Sequence, residues 1–242
     1  MKRAIDFIIA LTGLIMLLPF TIIILLLIWL QDFKSPFYIA PRVGKDGIIY
    51  KMMKLRSMVV NADATGVDST SNSDMRITPI GRFIRKFKLD ELSQIWNVFI
   101  GDMSFVGPRP NVKRETDLYT DVEKKLLTVR PGITDFSSIV FSDEGDILDG
   151  RTDPDLAYNQ LIRPWKSRLG IFYIENSSVF LDLQLIILTA VAVVSRSRAL
   201  AGINKILTRM KAQETLVDVC KRDKPLQPYP PPGTNHVVQS RG

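Results

Sequence analysis

The chain opens on a nearly unbroken apolar stretch. From Phe7 to Leu30 only Thr12, Gly13, Pro19 and Thr21 interrupt it. As a straight helix it would measure about 36 Å, enough to cross a bilayer. It is too long for a signal peptide, and no small-x-small cleavage site follows it. Two membrane arrangements fit. In one the helix spans, with Lys2 and Arg3 holding the N-terminus in the cytoplasm. In the other it enters and returns to the same side. Pro19 has no N–H for the Ile15 carbonyl and its ring crowds that turn, so a kink is expected there. The pattern leaves both open, because spanning helices tolerate proline.

Further along, Pro36, Pro41, Gly44 and Gly47 separate short β-like runs such as Ile48-Ile49-Tyr50. They predict a hairpin or irregular β segment over 34–60. Residues 61–75, rich in Asp, Ser and Thr, read as a surface loop. Over 79–100, Ile80, Phe83, Ile84 and Phe87, then Leu92, Ile95, Trp96 and Phe99, recur at helical spacing. A second helix is predicted over 112–129, stopped by Pro131-Gly132, and more helix over about 154–175. Residues 179–194 are apolar again, with Arg196, Arg198, Lys205, Arg209 and Lys211 behind them. That suits a helix lying in a membrane interface, or a core helix; periodicity does not separate the two. Prolines clustered over 228–232 predict a disordered tail. The fold class is α/β, helix-rich, with a small sheet near residues 38–56.

Composition narrows the chemistry. The formal charge of +7 suits nucleic acid, an anionic membrane or phosphate-bearing substrates. The single cysteine, Cys220, excludes an internal disulfide. The single histidine, His236, lies in the Pro-rich tail and argues against a zinc site or a histidine-based triad. Carboxylates, Lys, Arg, hydroxyls or a hard metal ion remain.

The densest group of such residues lies between Arg76 and Pro110. Adjacent carboxylates Asp90 and Glu91 follow Arg82, Arg85, Lys86 and Lys88. Surface ion pairs explain such clusters in many proteins. The sharper reading is a phosphate-handling centre, in which cations hold a pyrophosphate and a carboxylate attacks phosphorus or binds Mg2+. Next, Gly107-Pro108-Arg109-Pro110 fixes a guanidinium between two prolines, a geometry suited to phosphate oxygens. Arg130-Pro131-Gly132-Ile133-Thr134 is another rigid turn bearing a cation.

Together these segments resemble the bacterial sugar transferases, or monotopic phosphoglycosyl transferases. The pieces fall in the family's order from Lys2 to Thr189: Lys2-Arg3-x-x-Asp6, the apolar run with its proline, Arg42-Val43-Gly44, Lys54-Leu55-Arg56-Ser57-Met58, Asp74-x-Arg76-Ile77-Thr78, Leu89-Asp90-Glu91-Leu92-x-Gln94 with Asn97, Gly101-Asp102-Met103-Ser104-x-Val106-Gly107-Pro108-Arg109-Pro110, Arg130-Pro131-Gly132-Ile133-Thr134, and Tyr173-x-Glu175-Asn176 before Leu181-Asp182. The sequence departs from the family pattern at Leu18, at Pro41, at Lys88, where Ser or Thr is common, and over Asp135–Phe141.

The resemblance implies a re-entrant membrane helix over 1–33, broken at Pro19, and a catalytic domain with interfacial helices over 34–200. Residues 201–242 would form a basic, Pro-rich tail, partly disordered. It also implies that Asp90 is the nucleophile on the β-phosphate of a UDP-sugar, with release of UMP. Undecaprenyl phosphate would then accept the phosphosugar. Glu91, with Asp90, would hold Mg2+. Lys54, Arg56, Arg85, Arg109 and Arg130 would surround the phosphates. The expected place is the cytoplasmic face of a bacterial inner membrane, docked on anionic lipid, with no nucleic acid partner and a homodimer left open. The alternatives are a membrane-anchored phosphatase or nucleotidyl transferase, and a non-catalytic scaffold for polysaccharide assembly.

Overall fold

The computed structural model describes residues 1–62 and 74–240. Helix α1 occupies Lys2–Leu30. One stripe of it is buried, through Asp6, Ala10, Ile24 and Ile28. These positions recur at helical spacing, so a single face packs on the rest of the chain. The opposite face exposes Ile8, Ile15, Met16, Leu18, Ile22, Ile23 and Leu26. Pro19 is on the exposed side, and α1 stays helical through it. The expected break is therefore not a loss of helix. Proline removes one bond to the Ile15 carbonyl, while Leu17 before it and Ile24 after it are packed on two neighbouring apolar clusters.

The predicted hairpin is present. Strands β1 (Phe37–Val43) and β2 (Ile49–Leu55) pair antiparallel, from Phe37 opposite Leu55 to Val43 opposite Ile49. Its inner face places Ala40, Tyr50 and Met52 against Ala10 of α1 and Ile95, Val98 and Met103.

The continuous helix predicted over 79–100 is three pieces: α2 (Pro79–Lys86), a 3-10 turn (Leu89–Glu91) and α3 (Gln94–Ile100). Thr78 caps α2, its Oγ accepting from the Gly81 amide at 2.9 Å. Gly81 is required here, because a Cβ would sit 1.8 Å from the Ser57 carbonyl oxygen. The helical path ends at Lys88, whose φ of 53° is left-handed.

Strands β3 (Ser104–Val106) and β4 (Gly132–Thr134) pair in parallel. Between them the helix expected over 112–129 is also divided, into α4 (Lys113–Thr116) and a 3-10 segment, Glu123–Thr128. A reciprocal cap restarts the chain. The Thr120 amide donates to Glu123 and the Glu123 amide donates to the Thr120 hydroxyl, each at 3.1 Å.

Helices α5 (Phe136–Val140), α6 (Glu144–Leu148), α7 (Pro154–Ala157), α8 (Arg163–Asn176), α9 (Val179–Val194), α10 (Arg196–Arg209) and α11 (Glu214–Lys221) complete the fold. Their core includes Phe136, Ile162, Leu169, Leu185, Ile203 and Leu207. Helix α9 is buried on one side only. It buries Leu181, Asp182 and Leu185 and exposes Phe180, Leu183, Ile187 and Val194.

Residues 201–240, expected as a partly disordered tail, are instead helical and then packed. The prolines form an extended strap across α8. Tyr229 packs on Trp165, with ring centroids 4.3 Å apart and planes tilted by 31°. Arg168 donates to the Pro230 carbonyl and Thr120 to that of Pro232. Proline lowers the entropy of the unbound strap, and buried aromatic contacts hold it in place. Most of the predicted 61–75 loop lies outside the described residues.

Candidate active site

The carboxylates Asp90 and Glu91 stand on the 3-10 turn between α2 and α3. This turn is held against β2 by side chains acting as backbone. Asn97 donates to the Lys51 carbonyl at 2.8 Å and accepts from the Met53 amide at 2.9 Å. Ser93 donates to the Met53 carbonyl at 3.1 Å. Asn97 thus pairs with β2 as a neighbouring strand would, and that fixes α3 beneath Lys54.

The two Pro-Gly turns lock each other. The Ser104 amide donates to Pro131 at 2.9 Å, the Gly132 amide to Pro108 at 3.0 Å and the Gly107 amide to Thr134 at 3.1 Å. A Cβ on Gly132 would lie 2.1 Å from the Gly107 nitrogen, so the crossing excludes any side chain. This rigid crossing delivers Arg109 to Glu91, with which it forms a hydrogen-bonded ion pair.

Four of the expected residues, Lys54, Asp90, Glu91 and Arg109, are in direct contact as two ion pairs, and Arg85 is nearby. Lys54 Nζ is 3.8 Å from the Asp90 carboxylate. Arg109 holds Glu91 and also donates to the Ile133 carbonyl at 3.4 Å. Arg85, on α2, acts on Asp90 through its charge, with no ion pair among the described residues.

The two acids are held differently. Burial raises the Asp90 carboxyl above its ordinary range; Lys54 opposes this and the Glu91 charge reinforces it. Burial pushes Glu91 the same way, but Arg109, Lys54 and Lys88 more than offset it and hold it at about 2. Burial lowers the Lys54 ammonium, with Asp90 opposing. Neighbouring carboxylates in unlike environments can take unlike roles.

Two expected cations are elsewhere. Arg56 is buried and forks onto Asp32, at 2.5 and 2.6 Å, where the chain leaves α1. Arg130 is at the far end of α3, its Nε donating to the Gly101 carbonyl at 2.8 Å. Seven helical residues, about 10 Å, separate that end from the acids. Both cations satisfy backbone or carboxylate groups of the fold. Conversely, Lys88 belongs to the site: its charge acts on Glu91 and Asp90. Its sequence signal was its place among the cations before Asp90.

The N-terminal motif also has its explanation. Lys2 pairs with Asp182, Arg3 donates to the Phe99 carbonyl at 2.7 Å, and Asp6 accepts from the Ser104 hydroxyl at 2.8 Å. These charges dock α1 on α3, β3 and α9.

The family model for bacterial sugar transferases matches residues 1–196. The chain is 33% identical to a UDP-galactose-lipid carrier transferase of Erwinia amylovora, over 82% of this chain and 41% of that protein. It is 31% identical to the undecaprenyl-phosphate galactose phosphotransferase of Salmonella typhimurium, over 82% of this chain and 41% of that protein. It is 31% identical to the exopolysaccharide production protein ExoY of Sinorhizobium fredii, over 79% of this chain and 84% of that protein. The aligned part thus covers about two fifths of the Erwinia and Salmonella proteins and most of ExoY. The matched region contains the Asp90–Glu91 turn, Lys54, Arg109 and the docked α1 together, and the chain belongs to the bacterial sugar transferase family.

Proposed function

We propose that this chain moves a sugar-1-phosphate from a UDP-sugar to undecaprenyl phosphate, with release of UMP, as an early step in building a surface polysaccharide. The observation that carries the reading is the largely buried Asp90, 3.8 Å from Lys54 and next to the Glu91–Arg109 pair. Two relatives are named for sugar-phosphate transfer to undecaprenyl phosphate, one for galactose and one for N-acetylgalactosamine.

Asp90 is the nucleophile. One of its carboxylate oxygens bonds to the β-phosphorus, and the bond from that phosphorus to the bridging oxygen breaks. UMP leaves with the electron pair. The phosphate oxygen of undecaprenyl phosphate then attacks the same phosphorus, and Asp90 leaves as a carboxylate. An anion attacking a diphosphate is opposed by like charge. Lys54, Arg85 and Arg109 offset that repulsion from fixed positions, without reorganising water.

A divalent ion fits the donor set. Asp90 and Glu91 offer hard oxygens side by side, and Mg2+ binds through one or two carboxylates, completed by water and phosphate oxygens. No group of three or more ligating side chains exists among the described residues, so the substrate's phosphates would finish the shell. When bound, Mg2+ would neutralise the diphosphate and the departing phosphate.

The acceptor lies in a bilayer, so the site must meet the membrane. Re-entrant placement of α1, with both ends on one side of the membrane, is supported by its contacts. Its first turn docks on α3 and α9, and its exit is held by Arg56 at the end of β2. Both ends meet one polar domain. A spanning helix would hold its ends about 30 Å apart across hydrocarbon. Exposed Phe180, Leu183 and Ile187 on α9 and Ile22, Ile23 and Leu26 on α1 provide apolar surface for lipid. Basic side chains add attraction to anionic headgroups, about 1 kcal/mol for each one near the surface.

The test is UMP release over a panel of UDP-sugars with Mg2+. Release that requires undecaprenyl phosphate for repeated turnover supports the reading. Release of inorganic phosphate or pyrophosphate instead would favour a phosphatase or nucleotidyl transferase.

A further inference from the structure

Lys88 and Arg85 are the site cations with no ion pair among the described residues, and only Lys88 bridges from the acid turn to α5. Lys54 has Asp90 as an ion-pair partner, Arg109 has Glu91, and Arg56, behind the site, has Asp32. The Lys88 ammonium makes no ion pair among the described residues. Its hydrogen bond goes to a neutral group, the Ser138 carbonyl, at 3.3 Å. An ammonium carries three donors. A partly buried charge with one neutral acceptor is short of partners. The nearby acid cannot make up the difference. Asp135 is buried, and its carboxylate already accepts from the Ser137 hydroxyl and from the Ser138 amide and hydroxyl, at 2.7–2.9 Å.

The backbone does not require lysine. At φ 53° the turn favours glycine or asparagine, and a long side chain is uncommon there. From this position the ammonium reaches the start of α5, at the Ser138 carbonyl. Its charge is felt at Glu91, Asp90 and Asp135.

We infer that Lys88 binds a phosphate group of the reaction's substrates and tethers it to the Asp135–Ser138 turn. This rests on the transferase reading above. A phosphate reaches the site from two sources, the diphosphate of the nucleotide sugar and the headgroup of the lipid acceptor. Lys88 supplies the same chemistry to either.

The experiment uses the full chain in detergent with lipid acceptor. K88N removes the charge and keeps a residue at home in the left-handed conformation, with K88G as a second such variant. K88R restores the charge. A charge-assisted bond to phosphate corresponds to a KM about 10- to 100-fold higher when lost. The inference expects that rise in K88N for one substrate, with a smaller change in kcat, an unchanged unfolding midpoint and recovery in K88R. A rise in the nucleotide-sugar KM assigns the diphosphate; a rise in the acceptor KM assigns the lipid phosphate. Both KM values unchanged in K88N, or a loss of kcat alone, overturns it. If the wild type releases no UMP, the transferase reading fails by itself. Binding of UDP to wild type and K88N then decides the matter, with equal affinity overturning the role of Lys88.

Discussion

Arg56 grips Asp32 with both terminal guanidinium nitrogens, at 2.5 and 2.6 Å. That fork ties the exit of α1 to the end of β2, while Arg3 ties its entrance to the last carbonyls of α3. An apolar helix held at both ends by one domain should keep both ends on that domain's side. Single cysteines at positions 4 and 34 are therefore expected to label from the same side of sealed vesicles. Opposite-side labelling would contradict the re-entrant reading. Cys220 gives little background, because it is fully buried and burial pushes its thiol up to about 12.

The same fork has a pH signature. Hydrogen bonds from Arg56 hold the Asp32 carboxyl at about 2, against an ordinary 3.8. A carboxyl depressed on folding contributes stability above its unfolded value, and loses it as pH falls through the folded one. The unfolding midpoint should fall between pH 3.8 and about 2, and D32N should flatten part of that fall. An identical acid limb in D32N would show that the pair adds nothing, as for many exposed ion pairs.

Deeper in the domain, Arg163 and Glu123 form a fully buried pair at 2.7 Å, joined by Ser167. Removing one partner strands the other charge. E123A should cost about 3–5 kcal/mol in denaturant unfolding, far more than removal of an exposed pair such as Lys124–Asp121.

How far the sequence could be read depends on whether a residue's partner is close along the chain. Concentrated charge over 76–110 marks Asp90, Glu91 and Arg109 as candidates, while their separate roles come only from the family resemblance. Arg56 and Arg130, expected near the phosphates, have partners in the fold away from the Asp90–Glu91 turn. A cation looks the same in sequence whether it meets a phosphate or, as here, Asp32 and the Gly101 carbonyl. Lys2 and Arg3 look like a topology signal in sequence, yet their partners Asp182 and Phe99 are distant along the chain. The 79–100 pattern concealed the break at Lys88, because apolar spacing continues through a turn that both flanking helices bury on one side.

The C-terminal strap is hidden in the sequence for a related reason: prolines signal an unpaired backbone, not an undocked one. Arg168 lies over both Trp165 and Tyr229, 5.4 and 4.8 Å from their centroids. Y229A should cost about 1–2 kcal/mol, through lost aromatic burial and cation–π contact. It should leave UMP release at low temperature unchanged. Thermal unfolding and activity, measured together, check this.

The proposed mechanism requires a covalent bond between the Asp90 carboxylate and the phosphosugar. Intact-mass and peptide mass spectrometry after brief exposure to UDP-sugar and Mg2+, without lipid acceptor, reads this directly. The expected result is one phosphosugar adduct on Asp90, discharged by added undecaprenyl phosphate and absent in D90N. UMP release by a wild-type enzyme that never carries the adduct, or by D90N at an undiminished rate, would contradict it.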